Sequence, residues 1–367
     1  MPRVERIKQI QDWLATRFTD RPFTLAPASA DASFRRYLRV TFDDGASHKK
    51  LVGASPEPFG PLGGESSIAR FSGGTLIVMD APPSHEDVRP WLHVQQLFRA
   101  AGAHVPEVLA QDLEHGFLLL SDLGSTTYLA ALTEGADADP LYRAAIDTLI
   151  AIQRVGKPGA LPAYDRTLLK RELDLFPDWY IGKHVTIDFG DEQRNALAAV
   201  FEKILAVNLG EPVVHVHRDY HSRNLMVDGC QSNNLPGVID FQDAVHGPLS
   251  YDLVSLLKDA YIEWDEEQAL DWLARYWEKA KKAGLPVRAD FGEFFRDYEW
   301  MGVQRHVKVL GIFARLWHRD GKDGYLKDMP LVMKYLRAAC ARYGELTPLL
   351  RLLDKLENRQ AQAGYTF

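Results

Sequence analysis

Apolar and polar residues alternate along short stretches of the first third of the chain and recur at helical spacing in the rest. An opening helix is predicted from the shared face of Ile7, Ile10, Trp13 and Leu14. The alternation then predicts strands at 23–26, 34–42 and 75–79, and a hairpin formed by 107–111 and 117–120. One more helix is predicted over 90–101, ended by Gly102. This part of the chain is therefore expected to be a small strand-rich lobe.

After Gly124 the spacing of apolar residues changes to three and four. It predicts helices over 140–154, 166–183, 190–208, 266–283, 291–318, 328–343 and 345–361. We therefore expect an α+β protein with two lobes, residues 1–121 and 122–367, that meet near 121–124. The first would be built on an antiparallel sheet, and the larger second lobe would be mainly helical.

Three short apolar runs, at 213–217, 225–227 and 238–241, interrupt the helical lobe and predict strands. Turn-forming residues fill 229–237, so the last two runs are expected to form a hairpin with residues 225 and 240 nearly opposite each other. Polar residues stand at the ends of these runs: Asp219, Asn224 five residues later, and Asp240 sixteen beyond that. The hairpin would bring all three together.

A carboxylate beside an amide and a second carboxylate suits phosphoryl transfer with Mg²⁺. Asp219 would accept the proton of an acceptor hydroxyl, and Asn224 and Asp240 would hold the metal that neutralises phosphate charge. A lone His-Arg-Asp triplet occurs in many polar loops, but the complete set between predicted strands is specific. The sequence therefore predicts a phosphotransferase site.

The motif Asp240-Phe241-Gln242 and the absence of an Ala-Pro-Glu segment depart from protein kinases. The chain instead resembles the aminoglycoside phosphotransferase-like family of small-molecule kinases, and among these the anomeric N-acetylmuramate/N-acetylglucosamine kinases. The resemblance covers nearly the whole chain outside 43–73 and rests on the segments 32–37 (Ala-Ser-Phe-Arg-Arg-Tyr), 78–83 (Val-Met-Asp-Ala-Pro-Pro), 105–110 (Val-Pro-Glu-Val-Leu-Ala), 118–124 (Leu-Leu-Leu-Ser-Asp-Leu-Gly), 240–244 (Asp-Phe-Gln-Asp-Ala) and 299–306 (Glu-Trp-Met-Gly-Val-Gln-Arg-His).

The resemblance implies a bilobal protein-kinase-like fold and ATP- and Mg²⁺-dependent phosphorylation of the sugar C1 hydroxyl. Two alternatives stay open at this point. The chain can be a kinase for another hydroxyl acceptor, such as an aminoglycoside, choline or a different hexose. It can also be a catalytically silent nucleotide-binding protein.

Residues of the first lobe are expected to contact the nucleotide. The resemblance implies that Ser33, Phe34, Arg35 and Arg36 cover the ATP phosphates, although ordinary strand-start residues are the alternative. The lobe junction, Ser121, Asp122 and Leu123, would meet the adenine. The strand 75–79 carries no lysine, unlike the third strand of kinases, so Arg35 or Arg36, or less favourably Lys49 or Lys50, would supply the missing cation.

Candidates for the acceptor site lie in the helical lobe. Arg305 would bind the carboxylate of N-acetylmuramate, with Trp300 beside it, although an aromatic residue at helical spacing also suits core packing. Asp178 and Trp179 are a second candidate pair, with a helix kink at Pro177 and a core tryptophan as the alternative. Asp243 would hold the loop or bind acceptor hydroxyls.

Composition narrows the remaining possibilities. A net charge of −7 gives no electrostatic reason to expect a nucleic-acid partner, and two cysteines fit a reducing cytoplasm rather than a disulfide framework. The chain has no apolar run long enough to span a membrane.

His215 and His217 alternate on a strand and are expected to support the loop rather than bind zinc. Residues 43–73, rich in Pro, Gly and Ser, predict a flexible insertion between two strands of the first lobe, with an ordered lid as the alternative. The oligomeric state stays open.

Overall fold

The computed structural model describes residues 3–19, 21–28, 35–42, 74–187, 189–227 and 235–357. Ser33, Phe34 and the predicted insertion at 43–73, with Lys49 and Lys50, lie outside the described residues. None of the helices in the described part of the chain combines the length and apolar character needed to cross a bilayer.

The first lobe is built on a five-stranded antiparallel sheet with the order β1-β2-β3-β5-β4. Its strands are β1 (Phe23–Pro27), β2 (Arg36–Phe42), β3 (Thr75–Asp80), β4 (Val108–Asp112) and β5 (Phe117–Ser121). Helix α1 (Arg3–Ala15) buries Ile10, Trp13 and Leu14 against the sheet, in a cluster with residues such as Val40 and Val78. This small core is separate from the main core of the protein, which includes residues of α2 (Arg89–Ala100).

The second lobe is mainly helical. Its helices are α3 (Tyr128–Thr133), α4 (Ala138–Arg154), α5 (Arg166–Leu175), α6 (Asp191–Asn208), α7 (Tyr251–Leu257), α8 (Glu266–Lys282), α9 (Phe291–Asp320), α10 (Met329–Arg342) and α11 (Thr347–Leu356). A π-helix, Phe176–Val185, continues α5, and two 3₁₀ segments, Asp323–Asp328 and Gly344–Leu346, flank α10. The α+β prediction is confirmed.

Helix α9 runs through the centre of this lobe and packs against α5, α6, α7, α10 and the π-helix. Gly311 permits the close approach to α5, because a Cβ at this position would lie 2.5 Å from the carbonyl carbon of Leu175. Any larger side chain at position 311 would push α9 and α5 apart.

Two short antiparallel pairs carry the predicted site. Strand β6 (Val213–Val216) pairs with β9 (Val245–Pro248), and β7 (Leu225–Met226) pairs with β8 (Gly237–Val238). The predicted hairpin is present, but its predicted register was wrong, because Leu225 lies opposite Val238 and not opposite Asp240. Asp240 has a φ of +64°, which turns the chain out of the strand before that position.

Candidate active site

The loop of residues 217–224 follows β6 and carries the predicted catalytic residue Asp219, so it is called the catalytic loop. One buried carboxylate holds its first residues. The backbone N–H groups of His217 and Arg218 donate to Asp252 on α7, at 2.7 and 3.0 Å. Asp252 is fully buried, and this burial raises its pKa to about 7 although both hydrogen bonds act to lower it. These bonds fix Arg218 at a φ of +78°, a conformation that a non-glycine residue adopts only when its surroundings hold it.

Asp219 projects from this loop with 40% of its side chain exposed, so a ligand can reach it. Burial acts to raise its pKa, but the nearby positive charges of Lys308 and Arg305 outweigh that effect and hold the pKa at about 2. The closest of these contacts joins Arg305 Nη1 to Asp219 Oδ1 at 3.9 Å. Asp219 is therefore a carboxylate at neutral pH and is placed to receive a hydrogen bond from an acceptor hydroxyl.

A buried ion network stands behind Asp219. Glu172 on α5 pairs with Arg218 and with Lys308, whose Nζ lies 3.0 Å from Glu172 Oε1, and it also accepts a hydrogen bond from Tyr164. Burial would raise the pKa of Glu172, but the charges of Lys308 and Arg218 lower it below its ordinary value. The network fixes Arg218 of the loop and Lys308 of α9, and removing Glu172 would leave these two cations without their shared buried carboxylate.

Asn224 and Asp240 converge beside Asp219, as predicted. The Asn224 amide donates to the backbone oxygen of Asp219 at 2.9 Å and lies 3.4 Å from Asp240 Oδ2. Gln242 donates to the other carboxylate oxygen of Asp240 at 2.9 Å. Because the Asn224 nitrogen faces the loop, its side-chain oxygen is left as a possible metal ligand.

These donors fit Mg²⁺. Within the residues that the structure describes, no group of three or more His, Cys, Asp or Glu side chains is placed to hold a metal. Mg²⁺ does not require such a cage, since it typically takes one or two carboxylates and completes its shell with phosphate oxygens and water. An amide oxygen from Asn224 and the carboxylate of Asp240 match that donor set.

His217 joins the catalytic loop to the Asp240 segment. Its Nδ1 accepts from the backbone N–H of Asp219 at 3.2 Å, and its Nε2 contacts the Ile239 oxygen at 3.0 Å. Burial lowers its pKa to about 4, so the ring is neutral at pH 7. Burial also lowers the pKa of His215 to about 4. Both residues have the geometry of structural supports, in agreement with the interpretation of the sequence.

Aromatic rings connect this support to the first lobe. Phe241 packs against Trp91 and Phe98 of α2, with ring centroids 5.1 and 5.8 Å apart, and Phe98 stacks on His217 at 6.0 Å. Helix α2, the Asp240 segment and the catalytic loop are thereby packed as one unit. A rigid connection of this kind positions reactive groups well.

The two arginines proposed for the nucleotide have different surroundings. Arg35 lines a cleft of about 210 Å³ together with Met79, Glu86, Gln242 and Asp243. Its Nε pairs with Glu86 Oε1 at 2.9 Å, next to α2. Arg35 therefore lies between the sheet and the segment that carries Gln242 and Asp243, and its pair with Glu86 has the chemistry of the lysine–glutamate pair of kinases.

Arg36 instead faces a buried structural carboxylate. Its guanidinium pairs with Asp80, which is fully buried at the end of β3 and also pairs with Arg6 of α1. An ion pair of this type joins α1 to the sheet. The geometry favours Arg35 over Arg36 as the cation that replaces the strand lysine.

The lobe junction is held by the side chain of Asp122. Arg39 Nε donates to its carboxylate at 2.6 Å, and the backbone N–H of Gly124 donates at 2.9 Å. The Ser121 hydroxyl accepts from the backbone N–H of Glu107 at 2.9 Å, and Leu123 is nearly buried. These side chains have structural partners, so any adenine contact at the junction would use the backbone.

The predicted acceptor residues are dispersed. Trp300 is only 1% exposed and packs against Tyr343, with ring centroids 5.8 Å apart, which favours the core-packing alternative. Asp178 is exposed and Trp179 half-buried on the π-helix, which starts beside Pro177. Asp243 is exposed and borders the Arg35 cleft. The structure does not bring these residues together around Asp219.

Arg305 does lie near Asp219, but its side chain is only 8% exposed. Its Nη1 donates to the backbone oxygen of Arg218 at 2.9 Å and to the Tyr251 hydroxyl at 3.2 Å. These contacts support the catalytic loop from within the protein. Carboxylate binding by Arg305 stays a prediction, and its surroundings favour a positioning role.

Sequence analysis did not identify Glu172 and Asp252 as parts of the site. Asp252 is the one carboxylate in the apolar helix α7, and an acidic residue in such a run is a signal for a specific buried partner. Glu172 gives no comparable signal, because its charged partners, Arg218 and Lys308, are 46 and 136 residues away in the chain.

Residues 62–286 match the model of the phosphotransferase enzyme family, APH. A protein of Neisseria meningitidis serogroup B, named N-acetylmuramate/N-acetylglucosamine kinase, is 44% identical over 99% of this chain and 100% of its own length. A Pseudomonas aeruginosa protein of the same name is 48% identical over 91% of this chain and 89% of its own length.

Among solved structures, the choline kinase LicA from Streptococcus pneumoniae superposes with a TM-score of 0.58 at 12% identity, over 92% of this chain and 100% of that one. The ADP-bound aminoglycoside phosphotransferase APH(2'')-Ib gives a TM-score of 0.52 at 14% identity, over 89% of this chain and 97% of that one. These similarities confirm the protein-kinase-like bilobal fold.

Proposed function

The chain belongs to the phosphotransferase enzyme family, and we propose that it transfers the γ-phosphoryl group of ATP to the C1 hydroxyl of N-acetylmuramate or N-acetylglucosamine. The observation that carries the proposal is the convergence of Asp219, Asn224 and Asp240 at one end of the β7–β8 hairpin. The full-length similarity to two kinases named for these sugars supports the choice of acceptor.

In the proposed reaction, the C1 oxygen attacks the γ-phosphorus, and the bond from that phosphorus to the β–γ bridging oxygen breaks. ADP leaves, and the hydroxyl proton passes to the Asp219 carboxylate and then to solvent. A carboxylate with a pKa of about 2 is a weak base, so it accepts the proton only as the new O–P bond forms. An anomeric hydroxyl suits such a base because it is more acidic than an ordinary alcohol.

Two groups of side chains would bind the donor. Asn224 and Asp240 would hold Mg²⁺, which when bound neutralises charge on the phosphate oxygens. Arg35 would contact the phosphates from the first lobe, with Glu86 orienting its guanidinium. Glu172 and Lys308 would keep the catalytic loop in place during the reaction. As the setting we propose a reducing cytoplasm, because only two cysteines are present and Cys340 is a buried free thiol.

An acceptor panel tests this function. The protein is incubated with ATP and Mg²⁺ and with N-acetylmuramate, N-acetylglucosamine, glucose, choline or an aminoglycoside, and ADP release is measured. We expect the two amino sugars to give the highest kcat/KM. Asp219→Asn, which keeps the side-chain size, should lower kcat by roughly 10²–10⁴-fold, the range for loss of a general base.

Two results would contradict the proposal. A higher kcat/KM with choline or an aminoglycoside would assign the chain to another acceptor. No acceptor-dependent ADP release would favour a catalytically silent nucleotide-binding protein.

A further inference from the structure

Arg223, which directly precedes Asn224 in the catalytic loop, has the properties that Arg305 lacks. Its side chain is 35% exposed, compared with 8% for Arg305. No residue in the described ranges accepts a hydrogen bond from its guanidinium, and its ion pair with Asp328 is long, at 3.8 Å. Arg223 therefore keeps unused donors at the edge of the catalytic loop.

Aromatic rings form a wall beside this guanidinium. Its central carbon lies 3.5 Å from the ring centroid of Tyr261 and 5.8 Å from that of Tyr325. Phe313 of α9 packs against both tyrosines: its ring centroid lies 6.3 Å from that of Tyr261 and 5.1 Å from that of Tyr325. Both tyrosines are only half-buried, so a ligand can contact them. Sugar rings pack on aromatic surfaces of this kind through their apolar C–H faces.

The wall is directly connected to the reactive carboxylate. His221, two residues after Asp219, packs its ring against Tyr261 at 5.4 Å. A sugar lying on Tyr261 would therefore be near Asp219.

Asp328 borders the same place but does not hold the guanidinium closely. Its Oδ2 lies 3.8 Å from the Arg223 guanidinium, and no described residue donates a hydrogen bond to this enclosed oxygen. The ion pair is therefore too long to use the guanidinium donors, which an anionic group of a ligand can take. We call Arg223, Tyr261, Tyr325 and Asp328 the Arg223 cluster. It combines a cation with an aromatic surface.

We propose that the Arg223 cluster is the acceptor subsite, in which Arg223 binds the carboxylate of N-acetylmuramate and so distinguishes this sugar from N-acetylglucosamine. The inference rests on the proposed function and adds the residues that set its specificity. N-acetylglucosamine lacks the carboxylate but offers the same ring to Tyr261 and Tyr325. Arg305, by contrast, supports the loop by donating a hydrogen bond to the backbone oxygen of Arg218.

The test compares kcat/KM for both sugars in the wild-type protein and in Arg223→Gln. We expect N-acetylmuramate to lose roughly 10–150-fold, the range for one charge-assisted hydrogen bond. The loss of kcat/KM for N-acetylglucosamine should be at least tenfold smaller than the loss for N-acetylmuramate, and the ATP KM measured with N-acetylglucosamine should stay close to wild type. Arg223→Lys should restore part of the preference because it restores the charge. Arg351→Gln, an exposed arginine of α11, is the control for removing a surface charge.

Equal losses on both sugars, or no loss on either, would overturn the inference while the proposed function stands. An increase in the ATP KM with N-acetylglucosamine would also overturn it, because Arg223 would then act on the nucleotide. If the wild-type protein phosphorylates neither sugar, the proposed function itself fails and the inference fails with it.

Tyr325→Leu is an independent test of the acceptor subsite if the Arg223 variants are unstable. It should raise the KM of both sugars by the same factor, because both share the ring that packs on Tyr325. Unchanged KM values for both sugars would remove the aromatic wall from the acceptor subsite and overturn the inference.

Discussion

Arg35→Met should impair ATP use without unfolding the protein. The substitution removes the guanidinium that pairs with Glu86 but keeps a long apolar side chain against Met79 and the cleft. Glu86 loses this ion pair, but 24% of its side chain is exposed, so water can solvate the carboxylate. We therefore expect only a small decrease in the melting temperature.

The expected kinetic effect follows from the lost phosphate contact. A charge-assisted hydrogen bond contributes about 1.5–3 kcal/mol, which corresponds to a decrease of roughly 10–150-fold in kcat/KM for ATP. The kcat/KM for the sugar at saturating ATP should fall less, because the residues that line the cleft of Arg35 do not include Asp219.

Arg36→Met is the matched control, one position along the chain. Arg36 pairs with Asp80, whose side chain is fully buried, so its removal leaves a buried carboxylate with Arg6 as its remaining arginine partner. Breaking a buried pair costs about 3–5 kcal/mol, and Arg6 keeps the loss near the lower end. This variant should melt several degrees lower, with an ATP KM close to wild type at temperatures where it is folded.

Steady-state kinetics with varied ATP, together with thermal melts of both variants, show which of the two arginines contacts the nucleotide. An unchanged ATP kcat/KM in Arg35→Met would refute the assignment of Arg35 as the replacement for the strand lysine. The opposite pattern, with ATP binding lost in Arg36→Met and no change in its melting temperature, would transfer that role to Arg36.

Three further predictions concern the metal site, the buried network and pH. Asp240→Asn should raise the Mg²⁺ concentration for half-maximal rate at least tenfold, by removing the proposed carboxylate ligand, and an unchanged Mg²⁺ titration would place the metal elsewhere. Glu172→Gln should lower both the melting temperature and kcat, because Arg218 and Lys308 lose their buried counter-ion. A lower melting temperature with an unchanged kcat would show that Glu172 stabilises the fold but does not position the catalytic loop. Burial raises the pKa of Glu211 from 4.5 to about 8, so the folded state holds its proton more tightly than the unfolded state. The contribution of Glu211 to stability should therefore fall as pH rises from 4.5 to 8, so the free energy of unfolding of the wild-type protein relative to Glu211→Gln should decrease across that range in denaturant titrations; a difference that does not change with pH would exclude Glu211 as a pH-dependent contributor.

Much of the fold could be predicted because its elements are long enough to show a period. Helices α4, α6, α8 and α9 lie within a few residues of their predicted ranges, as do the strands of the sheet. Helix α7 was missed because its seven residues are nearly all buried and apolar, which leaves no amphipathic pattern. The predicted helix 166–183 changes to a π-helix at Phe176, where Pro177 lacks the N–H that a regular helix requires.

The residues of the candidate site also differ in how far the sequence could predict them. Asp219, Asn224 and Asp240 could be predicted because they flank short strands and their spacing is local. The hairpin register was wrong by two residues, because the left-handed φ of Asp240 ends the strand early. Aspartate adopts that conformation more often than most non-glycine residues, but too rarely for the sequence to predict it at one position. The partners of Glu172 and Arg223 depend on how distant helices pack, so the sequence alone could not separate Arg223 from Arg305.

The most direct test of the central claim is ³¹P NMR of the product formed from ATP, Mg²⁺ and N-acetylmuramate. The account predicts a sugar 1-phosphate, with the phosphorus coupled to the anomeric proton, and predicts that Asp219→Asn forms it roughly 10²–10⁴-fold more slowly. A 6-phosphate, or no phosphorylated sugar from the wild-type protein, would contradict the account.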